Sequence, residues 1–241
     1  MTKKRRRFAR TVAMSSKPVL RIDWATHEAA RYGCEKWHYS RVIPKSKLAK
    51  FGVWENGEFI GAVIFGVGAT RDLVKQYGLV PEQGCELVRV ALKSHLSPVS
   101  RIVAICLRML RAAFPGLRMC VSFADPKQGH HGGIYQAGGW IFSGNSAASD
   151  EYLYKGKLWQ GRSFRNSHKG MERHPDVQII KGTSKHRYLM PLDDEMRAKI
   201  APLAKPYPKS TRVKKQDAGH PPALGGAVPT DTLHTSGAPC P

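Results

Sequence analysis

Between Cys85 and Ala124 the chain reads as an apolar strand, a long amphipathic helix and a second apolar strand. No other feature constrains the fold as much. The first strand is Cys85 to Leu92 and the second is Arg118 to Ala124. Between them, Ser97-Pro98 supplies an N-cap followed by proline at the first helical position, where its missing N–H costs nothing. Ile102, Val103, Cys106, Leu107 and Leu110 recur at helical spacing and give one apolar face. Pro115-Gly116 stops the helix after Phe114.

The flanks fill in the rest. Asp23 is a candidate cap for a helix through Trp37, with Trp24, Ala30 and Trp37 among its apolar positions. Strands Phe51 to Trp54 and Phe59 to Val67 meet at Glu55-Asn56-Gly57-Glu58, because Asn-Gly accepts the positive φ of a type I′ turn. A short helix is expected over Thr70 to Tyr77, ending at Gly78. Beyond the second apolar strand come a loop with a short helix (Gly129 to Ala137), a strand (Gly139 to Phe142) and weaker strands near Tyr152 and Trp159. This is an α/β (α+β) domain with a single mixed β-sheet flanked by helices.

Charge limits the partners. Lys and Arg number 39 against 18 Asp and Glu, a formal net charge of +21 in 241 residues. That argues against small neutral substrates and for a polyanion, nucleic acid before an anionic membrane. The longest apolar run, Arg101 to Phe114, is too short to span a bilayer and is broken by Arg108 and Arg111. The basic start Lys3-Lys4-Arg5-Arg6-Arg7 leads into no apolar segment of signal-peptide type. The cysteines Cys34, Cys85, Cys106, Cys120 and Cys240 form no CxxC pair and read as reduced thiols.

Residues 1–21 hold eight Lys or Arg and no acid, which by composition is a disordered arm. It is either a phosphate-contacting arm or a solvated tail, and Met14 is a possible second start. Residues 201–241 are rich in Pro, Gly, Ala, Ser and Thr and read as a second disordered tail. The domain is therefore placed at 22–200.

Three segments carry polar groups where a purely structural chain would carry apolar ones. In Trp37-His38-Tyr39-Ser40, His38 suits a general base or metal ligand, and equally a histidine at a helix C-terminus. In Glu86-Leu87-Val88-Arg89-Val90, period two puts Glu86 on the face of Val88 and Val90, and Arg89 on the other. Two charges in an apolar strand need partners or a ligand. The third runs from Ser122 through Asp125-Pro126, then a glycine-rich loop with His130 and His131, to Tyr135 and Gln136. Ligands of open sheets bind at the carboxyl ends of strands, so these groups converge where chemistry is expected, outside the apolar core. The bland alternative is an Asx-turn with surface histidines. Farther on, Lys155, Lys157, Arg162, Arg165 and Lys169 alternate with Trp159 and Phe164, a pattern for phosphates plus a stacked base or for an ordinary basic hairpin.

The stretch SFADPKQGHHGGIYQAGGWIFSG, with ELVRVAL and WHYS before it, resembles the Mom family of phage DNA-modification proteins over roughly Trp37 to Gly144. The resemblance implies a GNAT-like acyltransferase fold. It also implies conversion of adenine in double-stranded DNA to its N6-acetamido (carbamoylmethyl) form, which shields phage DNA from restriction in the host cytoplasm. Carried over, the motif positions are His38, Tyr39, Ser40, Glu86, Arg89, Ser122, Asp125, Gly129, His130, Tyr135, Gln136 and Trp140, with His131 at a variable position. Trp140 would stack on a flipped adenine and the basic runs would hold DNA. Acetyl-CoA or another acyl or glycyl donor is implied. GNAT proteins hold its pyrophosphate in a glycine loop, whereas Ser94 to Arg101 has no glycine, leaving Ser97, Ser100 and Arg101 at the helix start as the candidate ligands. Joining N6 to a methylene carbon is not acyl transfer. A glycine-derived donor or a redox metal is the alternative, with iron on His38, Tyr39, Asp125 and Tyr135. The rival reading is a non-catalytic basic DNA-binding protein on the same scaffold.

Overall fold

The computed structural model describes residues 17–209, apart from 69 and 71. The basic run Lys3, Lys4, Arg5, Arg6, Arg7 and the cysteine at 240 lie outside the described residues.

The hairpin forms as its turn residues require. β2 (Leu48–Glu55) and β3 (Glu58–Gly66) pair antiparallel, with Asn56 at φ 52° and Gly57 at φ 85°. β4 (Gly84–Leu92) extends this ladder, and α2 (Val99–Ala113) crosses from it to β5 (Met119–Ala124), which lies parallel to β4. The expected strand–helix–strand unit is thus present and makes the sheet mixed. Two elements enter it unannounced by the sequence. β1 (Leu20–Trp24) adds to the free edge of β2, so the arm boundary drawn at residue 21 falls inside a strand. β10 (His186–Pro191) inserts between β5 and β6 (Ile141–Asn145). The strand order is β1-β2-β3-β4-β5-β10-β6.

Helices cover both faces of this sheet. The apolar face of α2 packs on Phe51, Val53, Val63, Phe65, Cys85 and Leu87. On the other face, α1 (His27–Trp37) sets Ala30 and Cys34 against Ala62, Ile64 and Ala91. α5 (Asp194–Ile200) sets Met196 and Ile200 against Met119, Val121 and Leu189. Cys34, Cys85, Cys106 and Cys120 are free thiols, all buried. Among the described residues no helix is long and apolar enough to cross a membrane.

Several local expectations are corrected. Asp23 lies in β1, and Thr26 is the N-cap of α1, its hydroxyl accepting the Ala29 N–H. The expected helix over 70–77 reduces to a 3-10 turn, Lys75–Tyr77, closed by Gly78 at φ 70°. The sheet is not single. β7 (Glu151–Tyr154), β8 (Lys157–Gln160) and β9 (Val177–Ile180) form a separate three-stranded sheet, with α4 (Gly161–Ser167) between β8 and β9. The chain also stays ordered past residue 200. Ala201–Leu203 is a 3-10 turn, and the Tyr207 hydroxyl donates to the Trp140 carbonyl at 2.7 Å.

Candidate active site

The site arises where β4 and β5 part. Their ladder has three rungs, Gly84↔Met119, Cys85↔Cys120 and Glu86↔Val121. Past these, β5 stays paired with β10 and β4 with β3, so the parallel neighbours separate. A cavity of about 530 Å³ fills the gap, within the usual size of a small-molecule site. Its walls include His38, Tyr39, Arg89, Asp125, His130, His131 and Tyr135, so three segments distant in sequence converge here.

A bulge aims β4. The register of β4 on β3 shifts at Val88, between the Arg89↔Ile64 and Leu87↔Phe65 pairs. Before it, Cys85 and Leu87 face α2, and after it Val90 and Leu92 do, while Val88 and Ala91 face α1. The expected alternation of Glu86, Val88 and Val90 on one face is therefore broken, because the extra residue inverts it. Arg89 reaches the loop after α1, its Nη1 donating to the Val88 carbonyl at 2.7 Å and its Nε lying 3.5 Å from the Val42 carbonyl. Glu86 stays at the last rung of the β4–β5 ladder, its carboxylate toward Gly68, and is not among the cavity walls.

The end of α1 presents His38 and Tyr39. Arg41, in left-handed conformation at φ 52°, turns back so that its Nη1 donates to the Glu35 and Lys36 carbonyls at 2.7 and 2.8 Å. It thereby satisfies carbonyls that a helix end leaves orphaned. Sequence reading missed Arg41, although a cation just past a helix is the signal for this role. His38 is buried, and its Nδ1 accepts the Ser40 backbone N–H at 3.1 Å with the Ser40 hydroxyl 2.8 Å away. A backbone N–H can only donate, so Nδ1 carries the lone pair and the ring proton sits on Nε2. Burial first, then the Arg89 and His130 charges, push the imidazole down to about 4. At neutral pH His38 is an uncharged hydrogen-bond donor, suited to orient a substrate and not to remove a proton. Tyr39 is exposed, its ring 4.3 Å from that of His38 and 5.8 Å from that of His130.

The opposite wall is the loop after β5. Asp125 is 8% exposed. Its Oδ1 accepts the Lys127 N–H at 3.0 Å, capping the turn Pro126–Gln128, and its Oδ2 lies 3.3 Å from Lys185 Nζ. Lys185 was not singled out from the sequence, since only β10 brings it back beside β5. The turn at Gly132, φ 88°, lies against the Tyr188 ring, where any Cβ would collide. Glycine is required there both for conformation and for space.

Tyr135 is not at the rim as expected. It is 8% exposed, packed between Trp140 and Tyr188 at ring distances of 5.2 and 4.9 Å. Burial pushes its hydroxyl up to about 12. Its oxygen lies 2.8 Å from Ser122 Oγ, which is also 2.9 Å from the Leu87 carbonyl. The carbonyl can only accept, so Ser122 donates to Leu87 and accepts a hydrogen bond from the Tyr135 hydroxyl. Tyr135 lines the cavity, and the fully buried Ser122 supports it from behind. Gln136 Nε2 lies within 3.2 Å of the His131 carbonyl, the Tyr188 hydroxyl and the Pro208 carbonyl. Trp140 is 2% exposed and belongs to the core, which removes it as a base-stacking residue. Arg162, Arg165 and Lys169 are exposed on and just after α4.

The donor sets implied for cofactors fit poorly. Among the described residues no three His, Cys, Asp or Glu side chains gather closely enough to hold a metal ion. Asp125 and Tyr135 direct their oxygens at protein partners, and His38 directs its Nδ1 at Ser40. They do not fit the iron site that the resemblance left open. At the start of α2, the Glu55 carboxylate accepts the Leu96 and Ser97 N–H groups, both at 2.8 Å, and Ser97 is buried. A negative charge thus stands where Ser97 was expected to hold a pyrophosphate. Arg101 is exposed, Ser100 is partly buried, and Val99 is the helix residue that reaches the cavity. This helix start does not fit the expected anion site.

A second cavity of about 700 Å³ opens at the other end of β4, lined by Trp24, Leu48, Phe65, Leu110 and Phe114. Its walls are largely apolar and offer no comparable set of proton-carrying groups.

Fold and site together define the class: a mixed α/β protein whose central sheet opens between two parallel strands onto a cavity with titratable side chains among its walls. The chain belongs to the Mom protein family, whose model matches residues 19–209. It is 23% identical over 203 residues to the methylcarbamoylase Mom of Escherichia phage Mu, covering 79% of this chain and 84% of that protein. Among solved structures, the N-acyl amino acid synthase FeeM from uncultured soil microbes is 15% identical, with a TM-score of 0.43 over 78% of this chain and 96% of that one. The ribosomal-protein-S5-alanine acetyltransferase of Vibrio fischeri is 12% identical, also at 0.43, over 74% and 98%. Both overlaps are loose.

Proposed function

We propose that this protein is a transferase that attaches an acetamido group to N6 of adenine in double-stranded DNA. The observation that carries this reading is the cavity between β4 and β5, with Asp125 on one wall and His38 on the other. Family membership supports the reaction class, and the net charge of +21 supports a polyanionic substrate. Adenine N6 is only partly accessible in the major groove of a duplex, and chemistry on a base usually needs it flipped out of the stack. Asp125, held as a carboxylate acceptor by Lys127 and Lys185, takes the N6 amino hydrogen. His38 donates through Nε2 to orient base or donor, while Arg89 supplies positive charge to the same space. Tyr39 and His130 close the mouth. N6 attacks the methylene carbon of an activated acetamido donor, the bond from that carbon to the donor's leaving group breaks with its electron pair going to the leaving group, and the N6 proton passes to Asp125. The biological consequence of this reading is protection of phage DNA from restriction in the host cytoplasm.

Mass spectrometry of nucleosides from DNA of cells expressing the chain tests the reading. The expected result is an adenosine heavier by one acetamido unit that is missing from cells expressing Asp125→Asn. Unmodified DNA in cells that contain folded wild-type protein would overturn it.

A further inference from the structure

The small sheet β8-β7-β9 and helix α4 form an outgrowth between β6 and β10, with a core of their own. Phe164 is fully buried, stacked between Tyr152 at 4.6 Å and 11° and His168 at 4.8 Å and 15°. Trp159 meets His168 edge-on at 4.9 Å. Tyr152 and Phe164 are turned inward, and the half-buried Trp159 has the Lys157 ammonium over its ring at 4.1 Å. The element offers charge: Lys155, Lys157, Arg162, Arg165, Lys169 and Arg173 are all exposed, and Glu172 is the single acid between Lys155 and Arg173.

Both ends of the outgrowth fasten to one loop of the cavity. At its start, the Glu151 carboxylate pairs with Lys127 at 2.8 Å. At its end, Lys185 pairs with Asp125 at 3.3 Å. The two connecting segments also approach closely, since a Cβ on Gly182 would collide with the Ser149 carbonyl. An element so pinched and so tied cannot swing freely away from Asp125.

We propose that this outgrowth docks on the phosphate backbone of duplex DNA and holds it beside the cavity wall formed by residues 125–127. The inference rests on the reading of the protein as a DNA-modifying enzyme, and it names the surface that takes the substrate. Charge complementarity selects the partner. Six exposed cations against the single acid Glu172 between 155 and 173 give this surface a positive charge that suits phosphates, and such contacts position a duplex without reading its sequence.

The test compares two full-length variants of equal net charge. One is K155Q/K157Q/R162Q/K169Q. The other neutralises four exposed cations on α2 and α5, as R108Q/R111Q/R197Q/K199Q. Affinity for a short duplex is read by fluorescence anisotropy across a salt series. The outgrowth variant is expected to lose at least about tenfold in affinity at physiological salt, and its log–log salt slope to fall by roughly 3. The second variant is expected to stay near wild type. Hydrogen exchange of wild-type protein with and without DNA should show protection in 155–173, a result that does not depend on any variant folding. Equal losses in the two variants, or no protection in that segment, would overturn the docking inference while leaving the enzymatic reading intact. Absence of duplex binding by wild-type protein would overturn both. Dependence on the four cations for phosphatidylserine vesicles, but not for the duplex, would assign the surface to a membrane and sink the proposal.

Discussion

Ser122 Oγ lies 2.9 Å from the Leu87 carbonyl, one step beyond the last ladder pair of β4 and β5. This hydrogen bond is the final tie before the two strands separate, and it sits directly beneath the cavity. The Tyr135 hydroxyl completes it from the cavity side. Ser122→Ala strips a donor from Leu87 and an acceptor from Tyr135, both buried, and should destabilise the protein by about 1–3 kcal/mol. Tyr135→Phe removes the donor side alone and should cost about 1 kcal/mol. Urea unfolding of both single variants and the double variant should give a sum that is not additive, since the groups share one network. Strict additivity would mean that the two hydroxyls do not interact.

Tyr135→Ala is a poor probe of catalysis. Removing a buried aromatic of this size should cost about 3–5 kcal/mol, visible as a lowered urea midpoint whatever the chemistry. The informative substitution is Asp125→Asn. It keeps the shape and the cap on Lys127 but removes the charge facing Lys185. Modified adenine should fall by about 100-fold or more, with duplex affinity and near-UV circular dichroism unchanged. Retained modification in Asp125→Asn would remove Asp125 from the chemistry.

His38 makes stability depend on pH in a fixed direction. Folding lowers its pKa from 6.5 to about 4, so the unfolded chain binds the proton more tightly. The contribution is complete above 6.5 and is lost as pH falls toward 4, amounting to roughly 2–3 kcal/mol. His38→Gln should flatten that part of the urea-midpoint profile. Nitrogen NMR of the ring at neutral pH should find the proton on Nε2. A proton on Nδ1 would contradict the donor role assigned here.

Trp140 should matter to the core and not to DNA. Trp140→Phe is expected to lower stability by about 1–2 kcal/mol through the void it leaves against Tyr135. Duplex affinity should not change. A loss of affinity in protein with an unchanged melting temperature would restore a contact with DNA.

The sequence by itself determined the elements whose signals are local. Asn56-Gly57 fixed the hairpin because only that kind of pair accepts two positive φ angles, and Pro115-Gly116 ended α2 because proline cannot continue a helix. Motif spacing brought His38, Arg89, Asp125 and His130 to notice, and those four do share the cavity. What only the tertiary structure decided was set by pairing between distant segments. β1 is a strand because the edge of β2 was open to it, against an arm-like composition. β10 carries Lys185 to Asp125 across 60 positions, a proximity no local pattern encodes. The bulge at Val88 inverts the faces of β4 through its register on β3, so period two failed there. Tyr135 and Trp140 sit in a polar-looking motif yet are buried, because α3 (Gly133–Ala137) sets Tyr135 between Trp140 and Tyr188, the latter on a strand the sequence did not reveal. Backbone conformation is governed by neighbouring residues, but burial and charge pairing depend on which surfaces meet, and that is fixed only once the sheet has assembled.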